Sequence, residues 1–350
     1  VTLFFPEDGY RVVEWKAPER VGNDFVSRVR LERWTGRASV LARKSDNRLF
    51  SLGQLPPNET FTVSVEFSDG VRHSSAPFTP AGQARPASMN PLDDPAFFVR
   101  QHYVDFLNRE PDAQGLAFWT NEIASCGADA QCAGVKRVNV SAAFFLSIEF
   151  QETGFLAYRA HKAAFGDLPG KPVPITLRSF LADQRQLANN VTVGAPGWPE
   201  QLEANKTAYF DGFVQHPAFI AVNPPALSAE QYVDGLFNRA GVTPTQDERG
   251  LAVALFGGGG TPGRAAALRS VAESRSVKQA ETNRAFVLMQ YFGYLRRDPD
   301  ETDFRGNPDP QFLGYNFWLT KLNQFDGNFV GAEMVKAFIQ SIEYGERFGQ

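Results

Sequence analysis

The sequence carries one pattern twice, and this repetition constrains its fold more than any other feature. Each repeat has a Tyr, a turn with Arg, Pro and Asp, a Gly before Phe-Trp, and an Ala-Phe that leads into Ser-Ile-Glu. The first strong repeat covers residues 103–150 and the second covers 291–344. Such repetition indicates similar helical units packed on one another. The predicted corner residues are Arg109, Pro111, Asp112, Gly115 and Trp119 in the first repeat and Arg297, Pro299, Asp300, Gly314 and Trp318 in the second.

The composition is that of an ordinary globular protein. A length of 350 residues is enough for two or three domains, and an apolar fraction of 43% is enough for buried cores. The net charge is -4, and Lys and Arg form no basic cluster. We therefore expect no nucleic acid partner, because binding to phosphate backbones needs concentrated positive charge. No apolar run approaches the roughly 20 residues of a transmembrane helix.

The two cysteines, Cys126 and Cys132, suggest where the protein works. A disulfide between them would close a short loop and stabilise it by roughly 2 kcal/mol. The alternative is that both cysteines are reduced thiols. A metal site is not expected, because no second pair of Cys or His residues lies nearby in the sequence to complete the ligand set. The bridge predicts an extracellular or cell-surface location. Because the chain opens at Val1 without Met, we also expect it to be part of a longer precursor.

The first 80 residues have the pattern of β-strands. Residues 10–15, 26–34 and 61–67 alternate apolar and polar side chains, as in half-buried strands. Turn-forming residues such as Gly, Pro, Asn and Asp lie between them. This arrangement predicts a small antiparallel β-sandwich over residues 1–80.

The same region resembles fibronectin type III domains. Those domains carry a Trp in an early strand, like Trp15, and a Leu-x-Pro-x-Thr-x-Tyr corner, approximated by residues 55–61. The corner aromatic is Phe61, so the usual hydroxyl hydrogen bond is absent. The resemblance implies an all-β, Ig-like sandwich with exposed edge strands. A Pro, Ala, Gly and Ser-rich stretch at residues 81–91 then predicts a linker.

After the linker the periodicity becomes helical. Asp94 and the following Pro predict the start of a helix. We expect this helix to have about 14 residues and to end at Asn108, because Pro111 disfavours the helical conformation just before it. Asp112 is placed to cap the next helix. We expect the Phe-Trp pair that includes Trp119 to fill the core between the helices.

Weaker repeats fill the middle of the chain. Residues 232–251 keep part of the pattern, and residues 158–220 are a candidate for a further eroded unit. We therefore predict an all-α domain of repeated helical units, with one half at 92–222 and the other at 223–350. The fold class is thus multidomain, with an all-β sandwich followed by an all-α domain.

Three further segments have their own expectations. Residues 140–150 predict one helix. Residues 166–198, with several Pro and Gly, predict a surface excursion, and the glycines of 257–263 predict a flexible loop.

The helical part resembles the bacterial domain-of-unknown-function family numbered 4214, which is similar to the helical domains of phycobilisome linker polypeptides. The matching segments are residues 103–112, 115–119, 141–150 and 286–300. The resemblance spans about residues 92–350. It implies an all-helical module of secreted or surface proteins, and it implies no enzymatic activity for any residue.

The sequence shows no catalytic signature. Nucleophilic catalysis needs Ser or Cys with His and a carboxylate, and no His lies near a Gly-x-Ser-x-Gly turn. The glycines near residue 257 do not follow the order of a phosphate-binding loop. We therefore expect surface or packed histidines and no cofactor. The four histidines are His73, His102, His161 and His216.

An acidic loop near the second strong repeat invites a calcium interpretation, since hard cations prefer several oxygen ligands. The loop lacks the order of an EF-hand, and a solvated loop is favoured. No metal site is therefore predicted. The residues concerned are Asp298, Asp300, Asp303, Asn307 and Asp309.

These observations predict a non-enzymatic extracellular structural or interaction protein. Its partners would be copies of itself, as in a filament or surface coat, or other surface proteins. One alternative is carbohydrate binding, with Trp34 or Trp198 as stacking platforms. The other is a hydrolase, which would need two carboxylates across a cleft.

Overall fold

A computed structural model describes residues 10–15, 19–21, 24–33, 62–67, 72–74, 90–303 and 305–349. The chain divides into two compact units. The first contains residues 1–93 and 345–350, and the second is Asp94–Tyr344. The halves predicted at 92–222 and 223–350 therefore share one compact helical unit.

The first unit contains a single described sheet. Its strand order is β1-β3-β4-β5, and β2 pairs with the other end of β3. The β1–β3, β2–β3 and β4–β5 pairs are antiparallel, but β3 and β4 are parallel. The strands are β1 Tyr10–Trp15, β2 Glu19–Val21, β3 Asp24–Arg33, β4 Thr62–Phe67 and β5 Arg72–Ser74.

The predicted β-sandwich is wrong for the described residues. The three expected strands form, but β3 and β4 join in one sheet through a parallel register from Asp24–Thr62 to Val29–Phe67. The described strands thus supply no second sheet to face the first. Alternation identifies a strand with one buried face, but it does not say which strands become neighbours. Residues 55–61, Trp34 and most of the 81–91 linker lie outside the described residues.

The second unit is helical, as predicted. Most of its helices begin at a side-chain cap, for example Asp94, whose Oδ1 accepts the Phe97 N–H at 2.8 Å. Short π-helical segments follow α1 and α12, at Tyr103–Leu107 and Tyr291–Leu295. The helices are α1 Pro95–His102, α2 Ala113–Ala124, α3 Ala130–Leu146, α4 Ile148–Glu152, α5 Gly154–Phe165, α6 Leu177–Leu187, α7 Trp198–Gln215, α8 Pro217–Val222, α9 Ala229–Ala240, α10 Gln246–Phe256, α11 Gly260–Glu273, α12 Arg275–Gln290, α13 Leu313–Gln324, α14 Met334–Ile339 and α15 Ile342–Glu346.

Helix α5 lies at the centre of this unit and is buried around most of its circumference. Its alanines, among them Ala157, Ala160 and Ala164, allow close packing by α9 and α11. The charged residues of α5, Arg159 and Lys162, are buried too, and each has a polar partner inside the unit. The core therefore forms around the junction of the two halves.

The two strong repeats pack directly on each other although they lie far apart in the chain. Phe106 and Tyr294, each three residues after the first Tyr of its repeat, have ring centroids 5.1 Å apart. The two π-helical segments cross here, and α3 contacts α14. Residues at one repeat position thus touch each other, as in an isologous contact. The repeats form a closed arrangement, in contrast to an open solenoid.

Several helix boundaries differ from the sequence-based expectations. The helix expected at 140–150 is broken at Ser147 into α3 and α4. The surface excursion expected at 166–198 contains α6, whose Phe180 and Leu187 are buried. Gly260 begins α11, and Gly263 lies inside it against the Phe256 carbonyl. Burial against neighbouring helices outweighs the local preference of these glycines.

Replacement of Gly293 by Ala tests the crossing of the π-helical segments. The new Cβ would lie 2.5 Å from the Phe106 ring. Phe106 is buried, so we expect a loss of about 1–3 kcal/mol in the free energy of unfolding. The control is Gly212→Ala in α7, where the added Cβ meets no atom within 4 Å. Chemical denaturation should show that this control is neutral or stabilising by up to about 1 kcal/mol; equal stability of the two variants would contradict the prediction.

Candidate functional site

An ion pair holds the first repeat corner against α4. Arg109 Nε and Nη2 donate to Glu149 Oε1 and Oε2 at 2.6 and 2.7 Å, a two-point geometry that favours arginine. The Glu149 side chain is only 6% exposed. Burial alone would lower the pKa of Arg109, but the Glu149 carboxylate outweighs this and raises it. The guanidinium also lies 5.0 Å from the Tyr103 ring centroid.

The same corner explains the repeated Tyr, Asp and Gly. Asn108, with a φ of 57°, ends the π-helical segment in the left-handed region. Asp112 Oδ1 accepts the Gly115 N–H at 2.8 Å and caps α2, as predicted. A Cβ at Gly115 would lie 2.1 Å from the Tyr103 hydroxyl oxygen, so only Gly fits beneath this ring. Pro111 is half-buried directly before the cap.

The second strong repeat builds its corner with equivalent contacts. Arg297 Nε and Nη2 donate to Glu343 Oε1 and Oε2 at 2.6 and 3.1 Å. The guanidinium lies 5.5 Å from the Tyr291 ring centroid. A Cβ at Gly314 would lie 2.6 Å from the Tyr291 hydroxyl oxygen. Arg296, with a φ of 57°, takes the position of the left-handed turn residue.

The helix cap of the second corner is not the expected one. Asp300, which the repeat pattern aligns with Asp112, pairs with Lys171 at 2.5 Å. Asp309 caps α13, because its two oxygens accept the backbone N–H groups of Leu313 and Gly314 at 2.8 Å each. The insertion after Asp300 separates the buried Pro299 from the helix start. The proximity of Asp309 to Gly314 in the sequence was the signal that could have identified it.

The repeated Phe-Trp pairs do not fill the interior as expected. Phe118 and Phe317 are each 58% exposed, and Trp119 and Trp318 are half-buried. Each Trp packs against the Phe of the following helix, with centroid distances of 6.2 and 5.7 Å. The Trp therefore covers the edge of the core, while the Phe before it faces solvent.

At four places among the described helices, the residue in the turn between two successive helices caps the second of them. At each site a side chain accepts a backbone N–H from the next helical segment, at 3.1–3.4 Å. Three residues after each cap an apolar or aromatic side chain is buried. One of these turns, at His216, falls in the eroded unit predicted at 158–220, and the turn at Ser274 lies after the weak repeat at 232–251. The caps are Ser147, His216, Ser274 and Ser341.

The predicted disulfide is confirmed. Cys126 and Cys132 are bonded, with their Cα atoms 5.6 Å apart. The bridge joins the end of α2 to the first turn of α3, where Asp129 accepts the backbone N–H groups of Gln131 and Cys132. It therefore reinforces the start of α3.

The acidic loop does not assemble a cation site. Asp298 accepts the Leu177 N–H at 2.7 Å, Asp300 pairs with Lys171 and Asp309 caps α13. Asp303 accepts the backbone N–H groups of Arg305 and Asn307 at 2.9 and 2.8 Å. Across the described residues no three His, Cys, Asp or Glu side chains are grouped as metal ligands.

The three histidines whose side chains are described each have a partner within the fold. His102 Nε2 lies 2.7 Å from Ser141 Oγ, the spacing of a base and its nucleophile, but the two residues are 0% and 2% exposed. The other ring nitrogen of His102 faces the Phe98 carbonyl, where a catalytic triad would have a carboxylate. His161 pairs with Asp183 at 2.7 Å, and the side chain of His73 lies outside the description.

The buried charged side chains around α5 also have their partners within the protein. Arg159 donates to the carbonyl oxygens of Ala272 and Phe155, and burial lowers its pKa to about 10. Lys206 pairs with Glu152 and Glu273 at 2.5 and 3.0 Å. These groups tie neighbouring helices together, with their polar atoms directed at each other.

Apolar side chains are exposed at equivalent positions of both strong repeats. Besides Phe118 and Phe317, Ile148 and Ile342 are 57% and 51% exposed. Each Ile follows the capping Ser of its repeat. Large exposed apolar groups often mark interaction surfaces when they are clustered or repeated.

Two surface grooves lie between helices of this unit. The groove between α10 and α11 has a volume of about 410 Å³ and is lined mainly by apolar atoms, including those of Leu251 and Leu255. The groove between α12 and α13 has a volume of about 620 Å³ and presents amides such as Asn283 and Asn323. Trp198, at the start of α7, lines neither groove.

None of the described helices combines the length and the hydrophobicity of a membrane-spanning helix.

Comparison with known proteins gives a family for one segment. The family model described as Domain of unknown function (DUF4214) matches residues 90–153. This stretch contains α1 to α4, and thus the whole first strong repeat. The curated proteins and the solved structures contain no match to the chain. The comparisons do not show the resemblances to fibronectin type III domains and to phycobilisome linkers.

A double-mutant cycle tests the first corner. Glu149→Gln or Arg109→Gln should each lower the free energy of unfolding by about 2 kcal/mol, because each leaves a largely buried charge without its partner. We expect a coupling energy above about 1 kcal/mol from urea denaturation. The matched control is the exposed pair Arg100–Glu110, at 2.6 Å, whose coupling should stay below about 1 kcal/mol. Equal coupling in both cycles would contradict a special role for this corner.

The reassigned cap is tested by comparing two aspartates. Asp309→Ala should lower the free energy of unfolding by about 1 kcal/mol, because it removes the oxygens that accept two N–H groups at the start of α13. Asp300→Ala removes only a partly exposed ion pair, so its effect should be smaller. Thermal and urea denaturation measure both. A larger effect at Asp300 would restore the assignment made from the repeat pattern.

Proposed function

We propose that this chain is a non-enzymatic extracellular scaffold that assembles with further copies of itself, as in a filament or a surface coat. One observation carries this proposal: both strong repeats expose large apolar side chains at equivalent positions. A repeated apolar residue that serves the fold is expected in the core. Phe118, Phe317, Ile148 and Ile342 are repeated but face solvent, and contact with a partner would give them a role.

The use of the polar residues supports a scaffold. The repeated arginines and acids pair with each other, as in Arg109–Glu149 and Arg297–Glu343. The nearest approach to a base and nucleophile, His102 with Ser141, is buried among aromatic rings. These groups stabilise helix packing and are not directed toward a substrate.

The disulfide supports an extracellular location. Structural disulfides persist in oxidising surroundings and are rare in the cytosol. The bridge between Cys126 and Cys132 lies at the start of α3, which packs against α14 of the second strong repeat. Oxidising conditions would therefore reinforce the contact between the strong repeats.

Glycan binding is a second candidate, favoured by the polar groove between α12 and α13. Asn283 and Asn323 are hydrogen-bonded to each other at 2.8 Å, and Gln279, Thr282 and Asp326 lie beside them. Amide and carboxylate groups of this kind can bind sugar hydroxyls. A glycan array would reveal ligands, and Asn323→Ala should abolish their binding. An array without hits would remove this candidate.

Self-assembly is tested by changing the repeated exposed residues. Sedimentation velocity and light scattering of the full chain over a wide concentration range should show reversible assembly. The combined variant Phe118→Ser, Ile148→Thr, Phe317→Ser and Ile342→Thr should stay monomeric over the same range, because it loses apolar contact area. Its melting temperature should be nearly unchanged, since these side chains are exposed.

The control changes exposed apolar residues outside the strong repeats. Ile220→Thr with Val222→Ser, at 40% and 45% exposure, should assemble like the unmodified chain. An unmodified chain that is monomeric at every concentration would contradict the proposal. So would assembly that the four changes leave intact.

A further inference from the structure

Resting on the self-assembly proposed above, we infer which surfaces join neighbouring molecules. A ridge on α13, formed by Leu313, Phe317 and Lys321, docks into the groove between α10 and α11 of a second copy of this chain. The contact would bury an apolar helix face in an apolar groove, a common mode of helix recognition.

The groove offers an apolar floor that the chain itself leaves open. Leu251 and Leu255 on α10 are 58% and 42% exposed, and Ala266 of α11 lies opposite them. The volume of about 410 Å³ is within the range of binding pockets. An aromatic side chain from another molecule is therefore a suitable occupant.

The ridge presents such a side chain. Leu313, Phe317 and Lys321 are spaced four residues apart, so they share one face of α13. Leu313 is 65% exposed and Phe317 is 58% exposed. Phe317 packs edge-on against Trp318 at 5.0 Å, which limits its freedom before binding. A ring restrained in this way loses less conformational entropy when it docks.

Charge favours this pairing of surfaces. The groove is lined by the carboxylates of Glu248 and Glu273 and by the guanidinium of Arg269, and Glu273 already pairs with Arg269 and Lys206. Burial alone would raise the pKa of Glu248, but hydrogen bonds from Ser276 and Thr245 lower it to about 2, so this group is ionised at neutral pH. The ridge ends in the cationic Lys321, whose ammonium lies 5.5 Å from the Trp318 ring centroid and which complements the carboxylate of Glu248.

The equivalent face of α2 lacks these features. There Gln114 and Glu122 flank Phe118 at the positions that Leu313 and Lys321 occupy around Phe317. The face has one large apolar group in place of two. Glu122 pairs with Lys136 at 2.6 Å, so this face has an ion pair where α13 has the cation Lys321. Phe118 is therefore a matched control for Phe317.

The ridge and the groove are different surfaces of one chain. A contact between them is heterologous, so each molecule can donate one ridge and accept another. Unless the rotation closes a ring, such a contact repeats without limit and produces a filament. This geometry deepens the proposed function, because it names both sides of the contact.

Single changes test each side. Phe317→Ser should remove the ridge and Leu255→Glu should close the groove to it, and each should raise the concentration for half-maximal assembly at least about tenfold. Phe118→Ser should raise this concentration much less than Phe317→Ser does, because the α2 face lacks a second large apolar group. Circular dichroism and melting temperature should confirm that all three variants are folded, since each changed side chain is exposed.

Mixing the variants tests the pairing. The Phe317→Ser chain retains only a groove and the Leu255→Glu chain retains only a ridge, so an equimolar mixture should form 1:1 dimers and stop there. Sedimentation velocity would detect this species. A mixture that stays monomeric or forms long assemblies would overturn the inference, as would equal loss of assembly in the Phe118→Ser chain.

The outcomes separate this inference from the proposed function. If the unmodified chain assembles and the Phe317→Ser and Leu255→Glu chains do so equally well, self-assembly stands and the ridge-and-groove contact is refuted. If the unmodified chain is monomeric throughout, both are refuted.

Discussion

The helical unit depends on two partly buried ion pairs, Arg109–Glu149 and Arg297–Glu343. Each joins a corner loop to a short helix about 40 residues later in the chain. Such a pair adds little net stability over apolar packing, but the loss of one partner leaves an unpaired charge and lowers the free energy of unfolding. Its physical role is therefore to specify geometry: the guanidinium lies against the Tyr103 or Tyr291 ring, whose hydroxyl then crosses the start of the next helix.

Because the corners are rigid, the two strong repeats can pack face to face. Phe106 meets Tyr294 where the π-helical segments cross, and Gly293 leaves the space that Phe106 fills. Helices α5, α9 and α11, from the middle of the chain, supply a further buried core. Within this packing the repeated Arg and Glu side chains pair with each other. The side chains left for contact with other molecules are chiefly those that the fold does not use, such as Phe317 and Leu251.

Much of the local structure could be predicted. The helix start at Asp94, the cap at Asp112 and the disulfide follow from short-range rules of hydrogen bonding and loop closure, and all three form. The pairing of Arg109 with Glu149 was missed although both belong to the repeated pattern. Short-range rules concern neighbours in sequence, and this pair is 40 residues apart. The insertion in the second strong repeat likewise hid the role of Asp309.

The sequence by itself determined that the chain has strands followed by repeated helical units, because periodicity and capping are local properties. Only the tertiary structure decided how these elements combine. The alternation of apolar and polar residues had suggested a two-sheet sandwich. The parallel pairing of β3 with β4 instead joins these strands in one sheet. Packing of the strong repeats placed Trp119 at the edge of the core and left Phe118 in solvent. Burial depends on which distant surfaces meet, and that is a property of the whole fold.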